Sequence, residues 1–306
     1  MGTLTQAAHG QNPAIEVSGL TKRYGELTAV DGISLRVDRG EVFALLGPNG
    51  AGKTTTVEIL EGYRQADAGT VTVLGRDPGE AGQEWKDRIG IVLQQSGIET
   101  ELTVREALTR LARIYSRPAD VDGTIDQVGL ADKADSRIKV LSGGQRRRVD
   151  MAAAIIGNPE LIFLDEPTTG FDPAARRDAW RLITELAQGG TTVLLTTHYL
   201  DEARHLADRV AVIRAGKIVA EGDPATLGGR EQRRAVIRFR HRGPLPSGLG
   251  GEIVVATDGW IEIATDAPTA DLAILTGWAQ GELEGLEVSR PTLEDVYLEL
   301  AGEADE

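Results

Sequence analysis

Short apolar runs alternate with segments of helical spacing over the first 220 residues. The runs with strand character are Ile15–Leu20, Ile33–Val37, Val42–Leu46, Val71–Leu74, Ile89–Leu93, Leu161–Leu164, Thr192–Thr196 and Arg209–Ile213. Segments compatible with helices include Lys53–Tyr63, Arg146–Ile156 and Pro173–Gln188. Because apolar strands that alternate with helices are buried on both faces, this pattern predicts an α/β fold with a mostly parallel sheet covered by helices.

A longer helical block interrupts this alternation between about residues 95 and 157. Val104, Leu108 and Leu111 follow the spacing of one helix face within it. Since strand signals return only at Leu161, the block is predicted to be a helical insertion in the α/β core.

The composition changes after the turn at Glu221–Pro224. Glycine and proline break up short alternating strands, and an amphipathic helix is predicted at Leu293–Leu300, with Thr292 and Asp295 as its capping pair. We therefore predict two domains, a nucleotide-binding domain over residues 14–229 and a small α+β accessory domain over residues 230–306.

The net charge of −14 lies almost wholly in the last fifth of the chain. Residues 251–306 carry 14 acidic side chains and one basic side chain, Arg290. The six arginines of Arg230–Arg242 form the densest basic stretch, and the alternation in Arg234–Arg240 is typical of a solvated strand. Nucleic-acid binding requires a positive surface, so we expect no nucleic-acid partner.

The sequence predicts neither a membrane-spanning helix nor a secretory leader. Its longest apolar runs, Val42–Leu46 and Met151–Ile156, fall far short of the roughly 18 residues that a membrane helix needs. There is no cysteine, which excludes disulfides and agrees with a reducing compartment. A cytoplasmic protein is expected.

A glycine-rich loop follows the apolar strand Val42–Leu46 and opens a predicted helix. It matches the phosphate-binding pattern G-x-x-x-x-G-K-[ST], whose glycines turn backbone N–H groups toward phosphate oxygens. The lysine contacts the β- and γ-phosphates, and the threonine hydroxyl can ligate Mg²⁺. The alternative is a purely structural glycine turn. The loop residues are Gly47, Pro48, Asn49, Gly50, Ala51, Gly52, Lys53 and Thr54, and Thr55 follows them.

A second apolar strand, Leu161–Leu164, ends in Asp165 and Glu166. Asp165 is positioned to hold Mg²⁺, and Glu166 to orient and deprotonate the water that attacks the γ-phosphate. The alternative is an acid-rich helix N-terminus.

A third motif, Leu141–Gln145 (LSGGQ), places two glycines directly before a helix. It is either a second phosphate-contacting turn or a structural one. In this order along the chain, the three motifs resemble those of the ATP-binding subunits of ABC (ATP-binding cassette) transporters, with a P-loop NTPase core. Leu141–Gln145 would be the signature loop of that family.

The resemblance assigns roles to further residues. Tyr24 would stack on adenine, Gln94 would reach Mg²⁺ and the attacking water, and His198 would contact the γ-phosphate. Asp172 belongs to the loop that crosses the dimer interface, in which Phe171 stands where the family usually has leucine. ATP and Mg²⁺ are the implied cofactors. The implied ATP contacts in the signature loop are Ser142, Gly143, Gly144 and Gln145.

The resemblance also implies how the protein assembles and acts. Two ATPase subunits would dimerise head to tail, with the signature loop of one closing on the ATP held by the other. This homodimer would lie on the inner face of the cell membrane and drive separate permease subunits. Because Pro291–Gly302 resembles the closing segment of ATPases that serve ABC-2-type exporters, we expect export of a drug, antibiotic or lipid-like substrate. The alternatives are a non-transport ABC ATPase, a regulatory module without turnover, and an importer ATPase.

Overall fold

The structure is a computed structural model and describes residues 12–92, 97–227, 234–257, 259–279 and 281–289. The chain forms two compact units that divide between Pro224 and Ala225. Among the described residues, no helix has both the length and the apolar character required to span a membrane.

The first unit contains nine strands and seven α-helices within its described residues. The strands are β1 (Ile15–Tyr24), β2 (Leu27–Val37), β3 (Val42–Leu46), β4 (Ala68–Val73), β5 (Ile89–Val92), β6 (Leu161–Asp165), β7 (Thr192–Thr197), β8 (Arg209–Arg214) and β9 (Lys217–Gly222). The helices are α1 (Lys53–Leu60), α2 (Gln83–Lys86), α3 (Val104–Ala112), α4 (Val121–Gln127), α5 (Gly143–Ile155), α6 (Pro173–Gln188) and α7 (Leu200–Leu206).

The central sheet has six strands in the order β5-β6-β7-β3-β8-β9. All of its strand pairs are parallel except β8 with β9. Every residue of β3 and β7 is buried, as expected for strands covered on both faces. The predicted α/β class with a mostly parallel sheet is confirmed, and the carboxyl ends of β3, β6 and β7 meet at one edge.

Three predicted strands belong to a second sheet rather than to the central one. β1, β2 and β4 form an antiparallel sheet in the order β2-β1-β4. The tight turn that pairs Tyr24 with Leu27 explains the difference, since a parallel connection needs a crossover of a dozen or more residues. Leu20 from this sheet and Phe43 and Phe163 from the central sheet share one hydrophobic core.

The predicted insertion is helical over its described residues. Thr103 and Glu106 form a capping box that starts α3, and Val104 and Leu108 of that helix are buried. The last helix of the insertion, α5, packs on β5 and on α3 and α4. The insertion therefore carries the loop Leu141–Gln145, at the start of α5, on its own set of supporting helices.

The second unit is a small α+β structure, as predicted. Its elements are β10 (Ala235–Arg240), β11 (Glu252–Thr257), β12 (Trp260–Thr265), α8 (Pro268–Trp278) and β13 (Glu287–Ser289), with antiparallel strands in the order β11-β12-β10-β13. The predicted alternation of the arginine-rich strand is present in β10, where Ile237 and Phe239 are buried and Arg240 is exposed. The predicted helix Leu293–Leu300 lies outside the described residues, together with Thr292 and Asp295.

Candidate active site

The glycine-rich loop connects β3 to α1, and two of its glycines are required by close backbone neighbours. A Cβ on Gly47 would lie 2.4 Å from the carbonyl oxygen of Ile213, and one on Gly52 would lie 2.3 Å from that of Ala29. Gly52 also has a φ of 106°, in the region that favours glycine. The loop is thus fixed on both sides by backbone, with Pro48, Asn49 and Gly50 exposed at its tip and Ala51 buried.

Lys53 is held inside this loop. Its side chain is only 5% exposed, and its Nζ donates hydrogen bonds to the carbonyl oxygens of Gly47 at 2.7 Å and Pro48 at 3.1 Å. Burial lowers the pKa of Lys53, while the nearby carboxylates of Glu166 and Asp165 oppose that shift. Nζ lies 3.9 Å from Glu166 Oε1, so the ammonium group sits between the loop and the acids that follow β6.

Asp165 ends β6, and its carboxyl is hydrogen-bonded across the sheet to β7. Thr196 Oγ1 donates to Asp165 Oδ1. Burial raises the pKa of Asp165, and this hydrogen bond acts in the opposite direction. Asp165 is therefore a carboxyl fixed in position at the same sheet edge as Lys53.

Glu166 follows Asp165 in a left-handed backbone conformation with a φ of 45°, which is uncommon for a residue other than glycine. Its N–H donates to the carbonyl oxygen of Thr196 at 3.2 Å and lies 3.1 Å from Thr196 Oγ1. The hydroxyl of Thr169 donates to Glu166 Oε2 at 3.2 Å. Strained backbone of this kind concentrates at functional sites, and here it aims the carboxylate of Glu166 at Lys53 and His198.

His198 comes directly after β7. Its Nδ1 lies 3.2 Å from Glu166 Oε1, and its ring packs on the ring of Tyr199 at a centroid distance of 4.0 Å. The structure thus brings together Lys53, Glu166 and His198 from three different strand ends. A base, a cation and an imidazole at one edge can bind a phosphate and orient a water for attack on it.

The loop Leu141–Gln145 begins α5 with a capping box. Ser142 Oγ accepts from the N–H of Gln145 at 3.3 Å, and the N–H of Ser142 donates to Gln145 Oε1 at 3.0 Å. Gly143 and Gly144 border a cleft that also contains Glu166 and Asp172. The loop Leu141–Gln145 therefore leads into a preformed helix N-terminus, the type of site that binds anions.

The remaining predicted residues lie in different places. Thr54 is exposed and Thr55 half-buried on the first turn of α1. Tyr24 is 40% exposed at the end of β1, with the guanidinium carbon of Arg64 5.4 Å from its ring centroid. Asp172 accepts from the N–H groups of Ala174 at 2.8 Å and Ala175 at 2.9 Å, so it caps α6. Gln94 lies outside the described residues.

The sequence analysis missed several polar residues that support the site. Thr196 contacts both acids, and Arg147 Nη2 donates to the carbonyl oxygen of Asp165 at 3.1 Å. Burial raises the pKa of Glu61 to about 8, with the charge of Asp165 as a further cause. The sequence did offer a signal for Thr196, a polar residue within an apolar buried strand. It offered none for the contact of Arg147 with Asp165, which joins residues 18 positions apart.

Comparison with known proteins supports the resemblance to ATP-binding subunits of ABC transporters. The family model described as "ABC transporter" matches residues 30–169. The daunorubicin resistance ATP-binding protein DrrA3 of Streptomyces coeruleorubidus is 39% identical, with 95% of this chain and 96% of that protein covered. The Nod factor export ATP-binding protein I of Ralstonia nicotianae is 43% identical, with 71% of this chain and 70% of that protein covered.

Solved structures of ATP-binding cassettes resemble this chain over about two thirds of its length. CbiO1 of Clostridium perfringens, part of an ABC transporter complex, superimposes with a TM-score of 0.64 and is 27% identical, over 70% of this chain and 90% of that one. A dimeric ATP-binding cassette in a post-hydrolysis state, bound to ADP and Pi, gives a TM-score of 0.62 at 25% identity, over 68% of this chain and 98% of that one.

Proposed function

The chain belongs to the ATP-binding subunits of ABC transporters, which are ATPases coupled to transport, and from that premise we propose that it powers the export of a small molecule. The observation that carries the proposal is the convergence of Lys53, Glu166 and His198 at one sheet edge. Relatives named for daunorubicin resistance and Nod factor export support the direction of transport.

In the proposed reaction, backbone N–H groups within Asn49–Thr54 and the ammonium of Lys53 bind the β- and γ-phosphates of ATP. Glu166 accepts a proton from the attacking water, and His198 donates a hydrogen bond to the γ-phosphate. Because Glu166 Oε1 lies within 4 Å of both Lys53 and His198, the base faces the place where the γ-phosphate would lie.

The donor set fits a magnesium ion. Mg²⁺ prefers oxygen ligands and keeps several waters, so one carboxylate and one hydroxyl suffice on the protein side. Asp165 would supply one oxygen from the end of β6 and Thr54 another from the first turn of α1, with Gln94 as the family's further contact. When bound, the ion neutralises charge on the β- and γ-phosphates.

We further propose that two copies form a head-to-tail homodimer around two ATP molecules. Ser142, Gly143, Gly144 and Gln145 would close on the γ-phosphate bound by the partner copy, and the capping box keeps their N–H groups ready. The dimeric cassette among the similar structures supports this arrangement. ATP binds the closed dimer better than the open one, which lets binding and hydrolysis drive a cycle of closure and opening.

The permease is proposed to be an ABC-2-type membrane protein that docks near Gln94, on the inner face of the cell membrane. An apolar groove beside the end of β5 supports this place. It runs between the core and the helical insertion, and its lining includes Ile91, Ile98, Leu102, Leu111 and Tyr115.

Purification from membranes of the source cell, followed by identification of the co-purifying protein, tests the proposal. We expect a multi-span permease, and vesicles that contain both proteins should accumulate a fluorescent anthracycline only with ATP and only with wild-type Glu166. A soluble ribosomal or DNA-repair partner would refute transport, and uptake in the opposite direction would refute export.

A further inference from the structure

A buried carboxylate lies next to the proposed catalytic pair without being part of it. Glu202, on α7, is 1% exposed. Its Oε1 accepts hydrogen bonds from Thr168 Oγ1 at 2.7 Å and from Trp180 Nε1 at 3.1 Å. Its Oε2 is buried and, among the described residues, has no hydrogen-bond partner. The fixed contacts of this carboxylate are therefore the two made through Oε1.

These contacts join the two loops that carry Glu166 and His198. Thr168 is two residues beyond Glu166, in the loop after β6, and it is itself completely buried. Glu202 is four residues beyond His198, in the first turns of the helix that follows β7. One hydrogen bond of 2.7 Å thus links the chain segment that contains Glu166 to the segment that contains His198.

Helix α6 contacts both ends of α7, at Tyr199 just before its first residue and at His205 in its last turn. The guanidinium carbon of Arg176 lies 4.9 Å from the ring centroid of Tyr199, the residue after His198. The ring of Trp180 stacks on that of His205 at a centroid distance of 4.6 Å, with an angle of 27° between the planes. Glu202 therefore joins three elements: α7, α6 and the loop after β6.

We propose that Glu202 is a positioning residue that sets the Glu166–His198 geometry through its bond to Thr168. Glu166 Oε1 and His198 Nδ1 are 3.2 Å apart, and neither loop could move without changing that distance unless the other followed. A displacement of about 1 Å at a reacting group can cost on the order of 100-fold in rate, so a buried bond outside the site can govern turnover. This inference rests on the roles proposed above for Glu166 and His198.

The test uses pairs of variants that separate the hydrogen bond from the packing. Glu202→Met removes the acceptor and Thr168→Val removes the donor, and both keep the approximate size of the side chain. Glu202→Gln keeps the acceptor and Thr168→Ser keeps the donor. We expect the first two to lower kcat for ATP hydrolysis by about 10-fold or more, with KM for ATP within about twofold, because Lys53 and its loop are unchanged. Glu202→Gln and Thr168→Ser should retain most of the wild-type kcat.

The double variant Thr168→Val with Glu202→Met should be no slower than the slower single variant, since both remove the same bond. Asp201→Asn, an exposed acid on the same helix, is the matched control. Thermal unfolding and fluorescent ATP binding monitor the fold of each full-length variant.

Two results would overturn the proposal. One is an unchanged kcat in folded Glu202→Met and Thr168→Val. The other is a loss of kcat and ATP affinity together, in step with melting temperature, without recovery in Glu202→Gln or Thr168→Ser. Glu166→Gln is measured in parallel. Normal hydrolysis in that variant would refute the proposed reaction itself, whatever the Glu202 variants do.

Discussion

Thr196 contacts both Asp165 and Glu166: its hydroxyl donates to Asp165 Oδ1, and its Oγ1 accepts from the N–H of Glu166 at 3.1 Å. A single side chain of β7 therefore holds both the carboxyl of Asp165, the proposed metal ligand, and the backbone N–H of Glu166, the strained residue that follows it. Because the hydroxyl counteracts the effect of burial on the pKa of Asp165, its removal has a predictable consequence for metal binding.

Thr196→Val removes this hydrogen bond and keeps the shape of the side chain. The pKa of Asp165, already raised by burial, should rise further, so a proton competes with Mg²⁺ up to a higher pH. We expect the Mg²⁺ concentration that gives half-maximal hydrolysis to increase, with a larger increase at pH 6 than at pH 8. Magnesium titrations at the two pH values measure it. Thr196→Ser keeps the donor, and an equal shift in that variant would contradict the explanation.

Lys53→Ala should sharply weaken ATP binding, because it removes the ammonium group held inside the proposed phosphate loop. The side chain is buried, so the substitution also removes packing, and Lys53→Met serves as the matched variant that keeps most of the volume. Equilibrium binding of a fluorescent ATP analogue measures the effect. Wild-type affinity in a folded Lys53→Met protein would remove Lys53 from the phosphate site.

Glu166→Gln should separate binding from turnover. Glutamine keeps the size and can occupy the same backbone conformation, but it cannot accept the proton of the attacking water. Turnover should fall by about 10²- to 10⁴-fold while ATP still binds. Steady-state phosphate release and ATP binding, measured on the same sample, check both parts. Near-normal phosphate release would exclude Glu166 as the base.

The proposed head-to-tail dimer makes a prediction about mixtures of two defective proteins. Lys53→Ala has a defective phosphate loop, and Gly144→Asp has a carboxylate that would repel the partner's γ-phosphate. A Cβ on Gly144 would lie 3.8 Å from the Cβ of Ala175, which is ordinary van der Waals contact, so the backbone there has room for a Cβ. Each homodimer should fail to trap ATP, whereas a heterodimer combines two intact halves in one site and should trap one ATP.

Glu166→Gln, added to both chains, suppresses hydrolysis during this measurement. Trapped nucleotide is counted after rapid gel filtration of heterodimers isolated with two different affinity tags. Gly144→Asn, neutral and of similar size, is the control for charge and should trap more ATP than Gly144→Asp. Verified heterodimers that trap none would mean that the signature loop does not act on the opposite subunit.

Local patterns were enough to predict the strands that build the site. Asp165 is the last residue of β6, Gly47 and His198 directly follow β3 and β7, and parallel strands place these ends at one edge. The apolar run and the motif after it are both local in sequence, which is why the P-loop NTPase core was predictable.

Features that depend on distant neighbours were not predictable in this way. The alternating residues of β1 fit a strand in either sheet, and its partners β2 and β4 are set by turns and packing. The bonds from Thr196 to Asp165 and from Glu202 to Thr168 join residues more than 30 positions apart. The backbone conformation of Glu166 could not be predicted from the sequence either, since glutamate has no preference for a positive φ.

The left-handed conformation of Glu166 limits how stable this protein can become. Such a conformation costs a residue other than glycine about 1–3 kcal/mol, which the rest of the fold must offset. Glycine or asparagine would relax the backbone there, but either would remove the carboxylate from its place beside His198. Selection for thermal stability alone would therefore favour chains that bind ATP and no longer hydrolyse it.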